Sequence, residues 1–315
     1  MAVGARPLVP SRMKPGGVAH SSTRRPTTKL AGYVHLMKLR VVELLLISTL
    51  PTMVLAERGW PPTRLVLVTL LGGTLAAGGA NAINMVVDRD IDALMERTKG
   101  RPTVTGLISP AEGLVFAVAL EIVAFAVLWA LATLLAAVLA LVATLFYVFV
   151  YTLWLKRSTA QNIVIGGAAG AMPVLVGWAA VRDEVAWAPV VLFGVIFLWT
   201  PPHTWALAMR HVDEYRAAAV PMLPAVASPQ TTVRSMVWYT VAMVACSLAV
   251  LPVSELGWIY GIAAAVAGAT FLWSAVDLGR SPTPQRAMRV FGVSITYITV
   301  LFGAILVDVL VRFGP

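Results

Sequence analysis

Charged side chains are scarce in this sequence. Asp, Glu, Lys and Arg together make up 12% of the 315 residues, while 59% of the residues are apolar. Soluble domains carry about 25% charged residues, so the shortage excludes an ordinary water-soluble domain. The lipid bilayer is the solvent that this composition predicts.

Cysteine is nearly absent as well. The one cysteine, Cys246, lies inside a long apolar run. A single thiol excludes a disulfide within the chain and a cysteine-based metal centre. We therefore expect Cys246 to be an ordinary packing residue.

Long apolar runs, in contrast, are abundant. Each is roughly 17 to 25 residues long, which matches a helix that crosses a hydrocarbon core of about 30 Å. They predict an all-α, polytopic membrane protein with about nine transmembrane helices around a central cavity. The runs cover residues 41–57, 65–87, 111–131, 134–154, 162–181, 186–208, 233–252, 256–276 and 289–310.

The basic residues predict the orientation of these helices, because Lys and Arg are retained on the cytoplasmic side of short loops. With the N-terminus placed in the cytoplasm, the inner segments hold 20 of the 24 Lys and Arg residues. This distribution predicts a cytoplasmic N-terminus. The net charge of +9 is spread over loops between spans rather than over one folded face, which argues against nucleic-acid binding.

The first 32 residues are rich in Pro, Gly, Ser, Thr, Arg and Lys and contain no apolar stretch long enough for a signal peptide. They predict a disordered basic cytoplasmic tail, followed by a single membrane domain over residues 33–315. A tail of this composition also resembles an organellar transit peptide. We favour a bacterial inner membrane over a mitochondrial inner membrane.

A cluster of polar residues begins in the second apolar run and continues beyond it. Asn84, Asp88 and Asp92 are spaced i, i+4, i+8, so on a helix they form a line of about 12 Å on one face. Carboxylates at the edge of the hydrocarbon normally face a cavity. Amide and carboxylate oxygens shared with phosphates suit Mg²⁺ better than zinc. The alternative is a helix end with solvated charges.

Basic residues follow this line directly. Arg97, Lys99 and Arg101 are suited to hold the phosphates that share the metal, and the alternative is membrane anchoring by positive charge. Lys156, Arg157 and Asn162, between the fourth and fifth runs, are predicted to lie at the same membrane face. For them, too, anchoring is the alternative.

A second cluster ends the sixth run. Pro201 and Pro202 are expected to kink or interrupt that helix, with His203 at the break. His203 is either a helix-packing histidine or a residue of the acceptor substrate site. A second acidic site follows, in which Asp213 is a candidate metal ligand and catalytic residue. Tyr215 and Arg216 beside it are candidate substrate-binding residues.

These clusters resemble motifs of a known family. The segment NMVVDRDIDALMERTKGRP, from Asn84 to Pro102, resembles the NxxxDxxxD motif of the UbiA-type intramembrane prenyltransferases, which have nine helices. The segments LWTPPH at 198–203, DEY at 213–215, PMLP at 221–224 and LKRSTAQN at 155–162 resemble the heme-modifying branch of that family. The second motif of the wider family is also DxxxD, whereas Ala217 stands four positions after Asp213.

The resemblance implies transfer of the farnesyl group of farnesyl diphosphate to a vinyl group of heme B, with addition of water, to give heme O. It implies Mg²⁺ as cofactor, with heme B as substrate, and a downstream heme A synthase as a partner. The implied metal ligands and catalytic residues are Asn84, Asp88, Asp92 and Asp213. The implied substrate-binding residues are Arg97, Lys99, Arg101, Lys156, Arg157, Asn162, His203, Tyr215 and Arg216.

Two other functions remain open from the residues alone. One is prenyl transfer to a hydroxybenzoate, naphthoate or chlorin acceptor, because nothing in the composition or spacing identifies heme. The other is cation-coupled secondary transport, since transporters also use broken helices and carboxylates within the membrane. A transporter would carry its acidic residues near the middle of its spans, whereas the clustered ones here lie at the ends of spans and in loops.

Overall fold

The computed structural model describes residues 26–314, and all regular secondary structure in that range is helical. The fold class predicted from the sequence is therefore confirmed. The helices are α1 (Lys29–Leu36), α2 (Leu39–Glu57), α3 (Thr63–Val87), α4 (Arg89–Leu94), α5 (Pro110–Leu131), α6 (Leu134–Leu145), α7 (Lys156–Ser158), α8 (Asn162–Arg182), α9 (Trp187–Arg210), α10 (Val212–Ala217), α11 (Leu223–Val226), α12 (Pro229–Ser254), α13 (Trp258–Arg280) and α14 (Pro284–Phe313). A π-helical segment, Phe146–Leu155, joins α6 to α7 without a break.

Each of the nine predicted runs corresponds to a helix. Within the described residues, eight helices are long and apolar enough to cross a membrane, and α6, the π-helical segment and α7 together count as one of them. The helix of the first run, α2, has 19 residues, and its segment Leu46–Glu57 is apolar. It packs along α8 and α14.

The helical part of the chain begins earlier than the sequence predicted. Helix α1 starts at Lys29, within the stretch assigned to the tail, because the Thr28 hydroxyl accepts a hydrogen bond from the Ala31 N–H and caps the first turn. Gly32 is buried at Ile108, where a Cβ atom would lie 3.1 Å from Cγ1. Residues 1–25 of the predicted tail lie outside the described part of the chain.

The proline pair does not interrupt the sixth predicted span. Helix α9 runs through Pro201 and Pro202, both of which are buried. The Thr200 hydroxyl donates to the Ile196 carbonyl at 2.8 Å. Prolines are tolerated within spanning helices where hydroxyl groups and packed neighbours satisfy the backbone, so the expected interruption is wrong.

The two largest of four apolar clusters pack most of the long helices against one another. The larger one lies between α2, α8, α9, α12, α13 and α14 and includes buried aromatic side chains such as Tyr260, Phe271 and Tyr297. The smaller one is formed largely by alanines of α3, α5, α6 and α8. Helix α3 is extensively buried between its neighbours, whereas most of α5 is exposed. The polar end of α3 is therefore enclosed by protein.

Three exposed tryptophans lie at the end of the bundle opposite the polar cluster. Trp60, Trp187 and Trp258 are 43%, 77% and 75% exposed and lie at the starts of α3, α9 and α13. Tryptophan is enriched where a helix meets the membrane interface. At the same end Arg58 forms a 2.8 Å ion pair with Glu255. This end is an interfacial surface, and the acidic motifs lie at the other one.

Candidate active site

The first acidic motif lies where α3 passes into α4. Asp88 is the joint between the two helices, yet its N–H bonds to the Asn84 carbonyl and its own carbonyl accepts from the Asp92 N–H. The helical spacing is therefore kept across the joint. Asn84, Asp88 and Asp92 are all buried, whereas the Asp90 side chain is 65% exposed. Helix periodicity separates the three buried oxygen donors from the exposed carboxylate.

The π-helical segment brings a cation to this motif. Its wider turns are seen in the hydrogen bond from the Lys156 backbone N–H to the Tyr151 carbonyl, five residues earlier. Lys156 follows the segment directly, and its ammonium forms an ion pair with the buried Asp88 carboxylate. Asn84 also donates to the Thr152 hydroxyl at 3.0 Å. The two helices are thus joined by polar contacts at the same depth.

Arg157, the next residue, is turned away from the cavity side. Its guanidinium makes two hydrogen bonds to Asp90, of 2.7 and 2.8 Å, and lies 3.6 Å from Asp88. The hydrogen bond from Arg157 lowers the pKa of Asp90 to about 2, and Asp90 therefore stays ionised. Arg157 joins α7 to α4 from the exposed side.

A third element reaches the motif from the N-terminal side. Lys38, between α1 and α2, donates to the Asn84 side-chain carbonyl at 2.8 Å. Its backbone is left-handed, with φ of 52°, which is uncommon for a residue with a side chain. Asn81 donates to the Met37 carbonyl at 3.1 Å and fixes the same junction. The α1–α2 junction therefore belongs to the site.

The loop after α4 contributes two arginines with different roles. Arg101 donates to the Asp92 carboxylate at 2.5 Å, and both side chains are largely buried. Arg97 lies at the cavity and its backbone N–H donates to Glu214 at 3.2 Å. Lys99 instead pairs with Glu96 at 2.6 Å, where both groups are exposed.

These elements enclose a polar cavity of about 150 Å³. Four cationic side chains and a single carboxylate line it, so it is suited to a multiply charged anion. Asp88 does not line the cavity itself but pairs with Lys156, which does. The lining residues are Lys38, Asn84, Ile91, Asp92, Met95, Arg97, Arg101, Tyr147, Tyr151, Lys156, Tyr215, Val220 and Met222.

The second acidic loop contacts the first through Glu214 and reaches the cavity with Tyr215, whereas Asp213 does neither. Glu214 accepts hydrogen bonds from the Arg97 N–H and from His211 Nδ1, the latter at 2.7 Å. The Asp213 side chain is 99% exposed and lies 3.6 Å from Arg216, whose Nε donates to the Ala225 carbonyl. Tyr215 does line the cavity. Glu214, rather than Asp213, joins the two loops.

The other predicted site residues lie apart from this cavity. His203 packs between Trp199 and Phe291, with ring centroids 4.1 and 4.6 Å away, and its Nδ1 is 2.7 Å from the Ser294 hydroxyl. Asn162, at the start of α8, is fully buried, and its side-chain nitrogen and oxygen have no hydrogen-bond partner among the described residues. Neither lines the polar cavity.

An apolar cavity of about 180 Å³ adjoins the polar one. Tyr147 lines both cavities, and Asn81 lies at the polar end of the second. The walls come from α2, α3, α6 and α8 and consist mostly of alanine, glycine and other small residues. A charged headgroup and an apolar chain of one amphiphile can therefore occupy the two cavities together.

Sequence reasoning missed three of these features. Lys38 was not among the predicted site residues, and Glu214 was not separated from Asp213. Glu121 was overlooked, although a lone carboxylate within an apolar run is a recognisable signal. It lies midway along α5, accepts hydrogen bonds from the Thr144 hydroxyl at 3.2 Å, and fits against Gly79, where a Cβ atom would lie 2.5 Å from Oε1.

The oxygen donors present fit a hard cation that is shared with a substrate. Among residues 26–314 no three His, Cys, Asp or Glu side chains are grouped closely enough to enclose a metal alone. Mg²⁺ usually uses one or two carboxylates together with phosphates and waters. Asp88 Oδ1 is buried without a hydrogen-bond partner, and Asp92 lines the cavity beside Asn84. This donor set matches that chemistry.

Comparison with known proteins defines the class. The chain matches the model of the UbiA prenyltransferase family over residues 45–303, and it belongs to that family. A relative from Frankia casuarinae that is named protoheme IX farnesyltransferase is 56% identical over 288 residues, which cover 90% of this chain and 100% of the relative.

Solved structures share the fold at low sequence identity. A digeranylgeranylglyceryl phosphate synthase superposes with a TM-score of 0.73 at 18% identity, covering 89% of this chain and 98% of that chain. A UbiA homolog from Archaeoglobus fulgidus bound to DMAPP and Mg²⁺ gives a TM-score of 0.63 at 17% identity, covering 88% and 99%. The similarity extends over the whole helical bundle.

Proposed function

We propose that this protein transfers the farnesyl group of farnesyl diphosphate to a vinyl group of heme B, with addition of water, and so produces heme O. The observation that carries the proposal is that a cation-lined cavity and an apolar cavity lie side by side and share Tyr147 as a lining residue. The Frankia casuarinae relative, named protoheme IX farnesyltransferase, supports the choice of acceptor and prenyl group.

The polar cavity would hold the diphosphate. Lys38, Arg97, Arg101 and Lys156 are the cations that would contact its oxygens. We assign Asn84, Asp88 and Asp92 to Mg²⁺, in keeping with the Archaeoglobus fulgidus homolog bound to DMAPP and Mg²⁺. When bound, the metal would neutralise part of the charge on the departing pyrophosphate. Asp213 stays a candidate for a second site.

The chemistry needs no oxidant or reductant. The bond between the allylic carbon and the diphosphate oxygen breaks, and the terminal vinyl carbon supplies the electron pair of the new carbon–carbon bond. Water adds to the inner vinyl carbon and loses one proton, and pyrophosphate leaves with the electrons of the broken bond. The lining cations stabilise the leaving group as its charge develops, and the apolar cavity shields the allylic carbocation from water.

The acceptor site is assigned to the region of His203. Stacked between Trp199 and Phe291, this imidazole is held in a fixed orientation, and a histidine nitrogen is a common ligand of heme iron. Loss of heme affinity in His203→Ala, with unchanged affinity for farnesyl diphosphate, is the expected result. Equal heme affinity in the variant and the wild type would refute this assignment.

We place the site on the cytoplasmic side of a bacterial inner membrane, because the basic loops lie at the same end as the acidic motifs. Product would then pass to a heme-oxidising enzyme of the heme A synthase class in the same membrane. Labelling of single cysteines introduced at Lys99 and at Trp258 in intact cells, after replacement of Cys246, tests this orientation. The expected result is access from outside at position 258 only.

The test of function is product analysis by mass spectrometry. Purified protein in detergent is incubated with heme B, farnesyl diphosphate and Mg²⁺, with and without a chelator. The expected product is heme carrying one farnesyl group and one water, formed only without chelator. Unmodified heme together with chelator-sensitive prenylation of a hydroxybenzoate, naphthoate or chlorin would move the protein to another acceptor. Absence of any prenyl transfer would overturn the proposal.

A further inference from the structure

One glycine of the apolar cavity has no packing reason to be glycine. A Cβ atom added at Gly170, in the middle of α8, would meet no atom within 4 Å. Its helical neighbours differ, since a Cβ atom at Gly166 would lie 2.3 Å from the Tyr151 ring and one at Gly167 would lie 3.0 Å from Thr200. Glycine is a poor helix former, so a glycine in the middle of α8 needs another explanation. We attribute it to the space that the missing side chain leaves in the apolar cavity.

The depth of Gly170 follows from the helix rise. Gly166 packs against Tyr151, which lines the polar cavity, so this turn of α8 is level with the headgroup site. Gly170 lies one turn further, about 6 Å deeper. Val176 lines the same cavity and lies about 9 Å beyond Gly170 along the helix axis. Gly170 therefore borders the passage from the headgroup to the deep part of the cavity.

We propose that Gly170 determines the length of the prenyl chain that the protein accepts. The open position lets the distal isoprene units of an allylic diphosphate enter the deep part of the cavity. This inference rests on the proposed function only in that the occupant is a prenyl diphosphate. It does not depend on the identity of the acceptor.

A second open position lies deeper in the same cavity. Gly73 of α3 lines it, and a Cβ atom there would approach only Leu46 Cδ2, at 3.8 Å. Gly73 is eleven residues before Asn84 in the sequence, about 16 Å along the helix axis. A side chain at Gly73 should therefore affect only long chains, whereas one at Gly170 should already affect chains of intermediate length.

The experiment measures binding of dimethylallyl, geranyl and farnesyl diphosphates to the full-length protein in detergent with Mg²⁺, by calorimetry. Gly170→Val should weaken farnesyl diphosphate binding on the order of 10- to 100-fold, the range that small volume changes produce in apolar pockets. Dimethylallyl diphosphate binding should change less than about threefold. Gly73→Val should weaken farnesyl diphosphate less than Gly170→Val does and should leave geranyl diphosphate unchanged.

Gly303→Val is the matched control, because Gly303 also has open surroundings but lies on α14 and lines neither cavity. It should bind all three ligands as the wild type does. Equal weakening of all three by Gly170→Val, or no weakening, would overturn the inference. If Gly170→Val does not fold, Gly170→Ala is compared with Gly73→Val instead. The Gly170 variant should then already weaken the binding of chains of intermediate length, whereas the Gly73 variant should weaken only the binding of long chains.

The two proposals fail in different ways. A wild-type protein that binds prenyl diphosphates with the expected dependence on Gly170, but does not modify heme, overturns the proposed acceptor and supports the chain-length inference. A protein that modifies heme but shows the same chain-length preference in Gly170→Val overturns the inference alone. A wild type that binds no prenyl diphosphate overturns both.

Discussion

The Lys38 ammonium donates a hydrogen bond to the Asn84 side-chain carbonyl at 2.8 Å, across 46 residues of sequence. The left-handed backbone at Lys38 costs on the order of 1 kcal/mol for a residue with a side chain. Burial lowers the pKa of Lys38 well below its usual range, and Arg101 and Lys156 lower it further. Lys38 therefore combines a strained backbone with repulsion from neighbouring cations. A bound anion would reduce this repulsion.

Replacing Lys38 should weaken substrate binding. Lys38→Met removes one charged hydrogen bond to the diphosphate, which predicts a loss of affinity on the order of 10- to 100-fold. Calorimetry with farnesyl diphosphate and Mg²⁺ measures it. Arg40→Met is the control, because Arg40 is exposed on the adjacent turn. Equal affinities in the two variants would remove Lys38 from the site.

Asp88 and Asp90 offer a matched pair for the metal site. Asp88→Asn should lower turnover at least about 100-fold. It should also abolish the rise in thermal stability that Mg²⁺ and farnesyl diphosphate together give the wild type, since a ligand stabilises only the state that binds it. Asp90 is exposed and paired with Arg157. The Asp90→Asn variant should therefore keep both its turnover and the rise in thermal stability on ligand binding. A ligand-stabilised Asp88→Asn protein would contradict the assignment.

A distant carboxylate caps helix α13. Asp308 of α14 is fully buried and accepts hydrogen bonds from the N–H groups of Gly257 and Tyr260, at 2.7 and 2.9 Å. Asp308→Ala leaves two donors without a partner and should destabilise the fold by roughly 1 to 3 kcal/mol. Thermal unfolding in detergent measures this change. Asp308→Asn keeps a hydrogen-bond acceptor and should lose less stability. Both variants should bind ligands with the same affinity as the wild type.

His35 predicts a dependence of stability on pH. Burial lowers its pKa, and the positive charges of Arg101 and Lys38 lower it further. Unfolded histidine titrates near 6.5, so just below that pH the unfolded state binds more protons than the folded state. The stability should fall as the pH drops from about 6.5. His35→Gln should reduce this fall. The melting temperatures of the wild type and of His35→Gln are measured from pH 5.0 to 7.5. The same dependence on pH in both proteins would refute the prediction.

The helices could be predicted from the sequence because hydropathy is a local property. Nine apolar runs were enough to indicate nine helices, and the helices end close to the predicted positions, as at Val87 and Leu131. The spacing of Asn84, Asp88 and Asp92 likewise indicated a shared face, since it depends only on the helix repeat. The effect of Pro201 was misjudged because neighbouring helices and hydroxyl groups decide whether a proline interrupts a span.

The site could be predicted only in part, because its members meet across long separations. By itself the sequence determined the membrane class, the basic end of the bundle and the first oxygen-donor motif, each of which follows from composition or helix period. Only the tertiary structure decided that Lys38 reaches Asn84, that Glu214 joins the loops, and that an apolar cavity with open space at Gly170 adjoins the charged one. These contacts depend on how packed helices approach one another and on a π-helical register before Lys156, which no local pattern specifies.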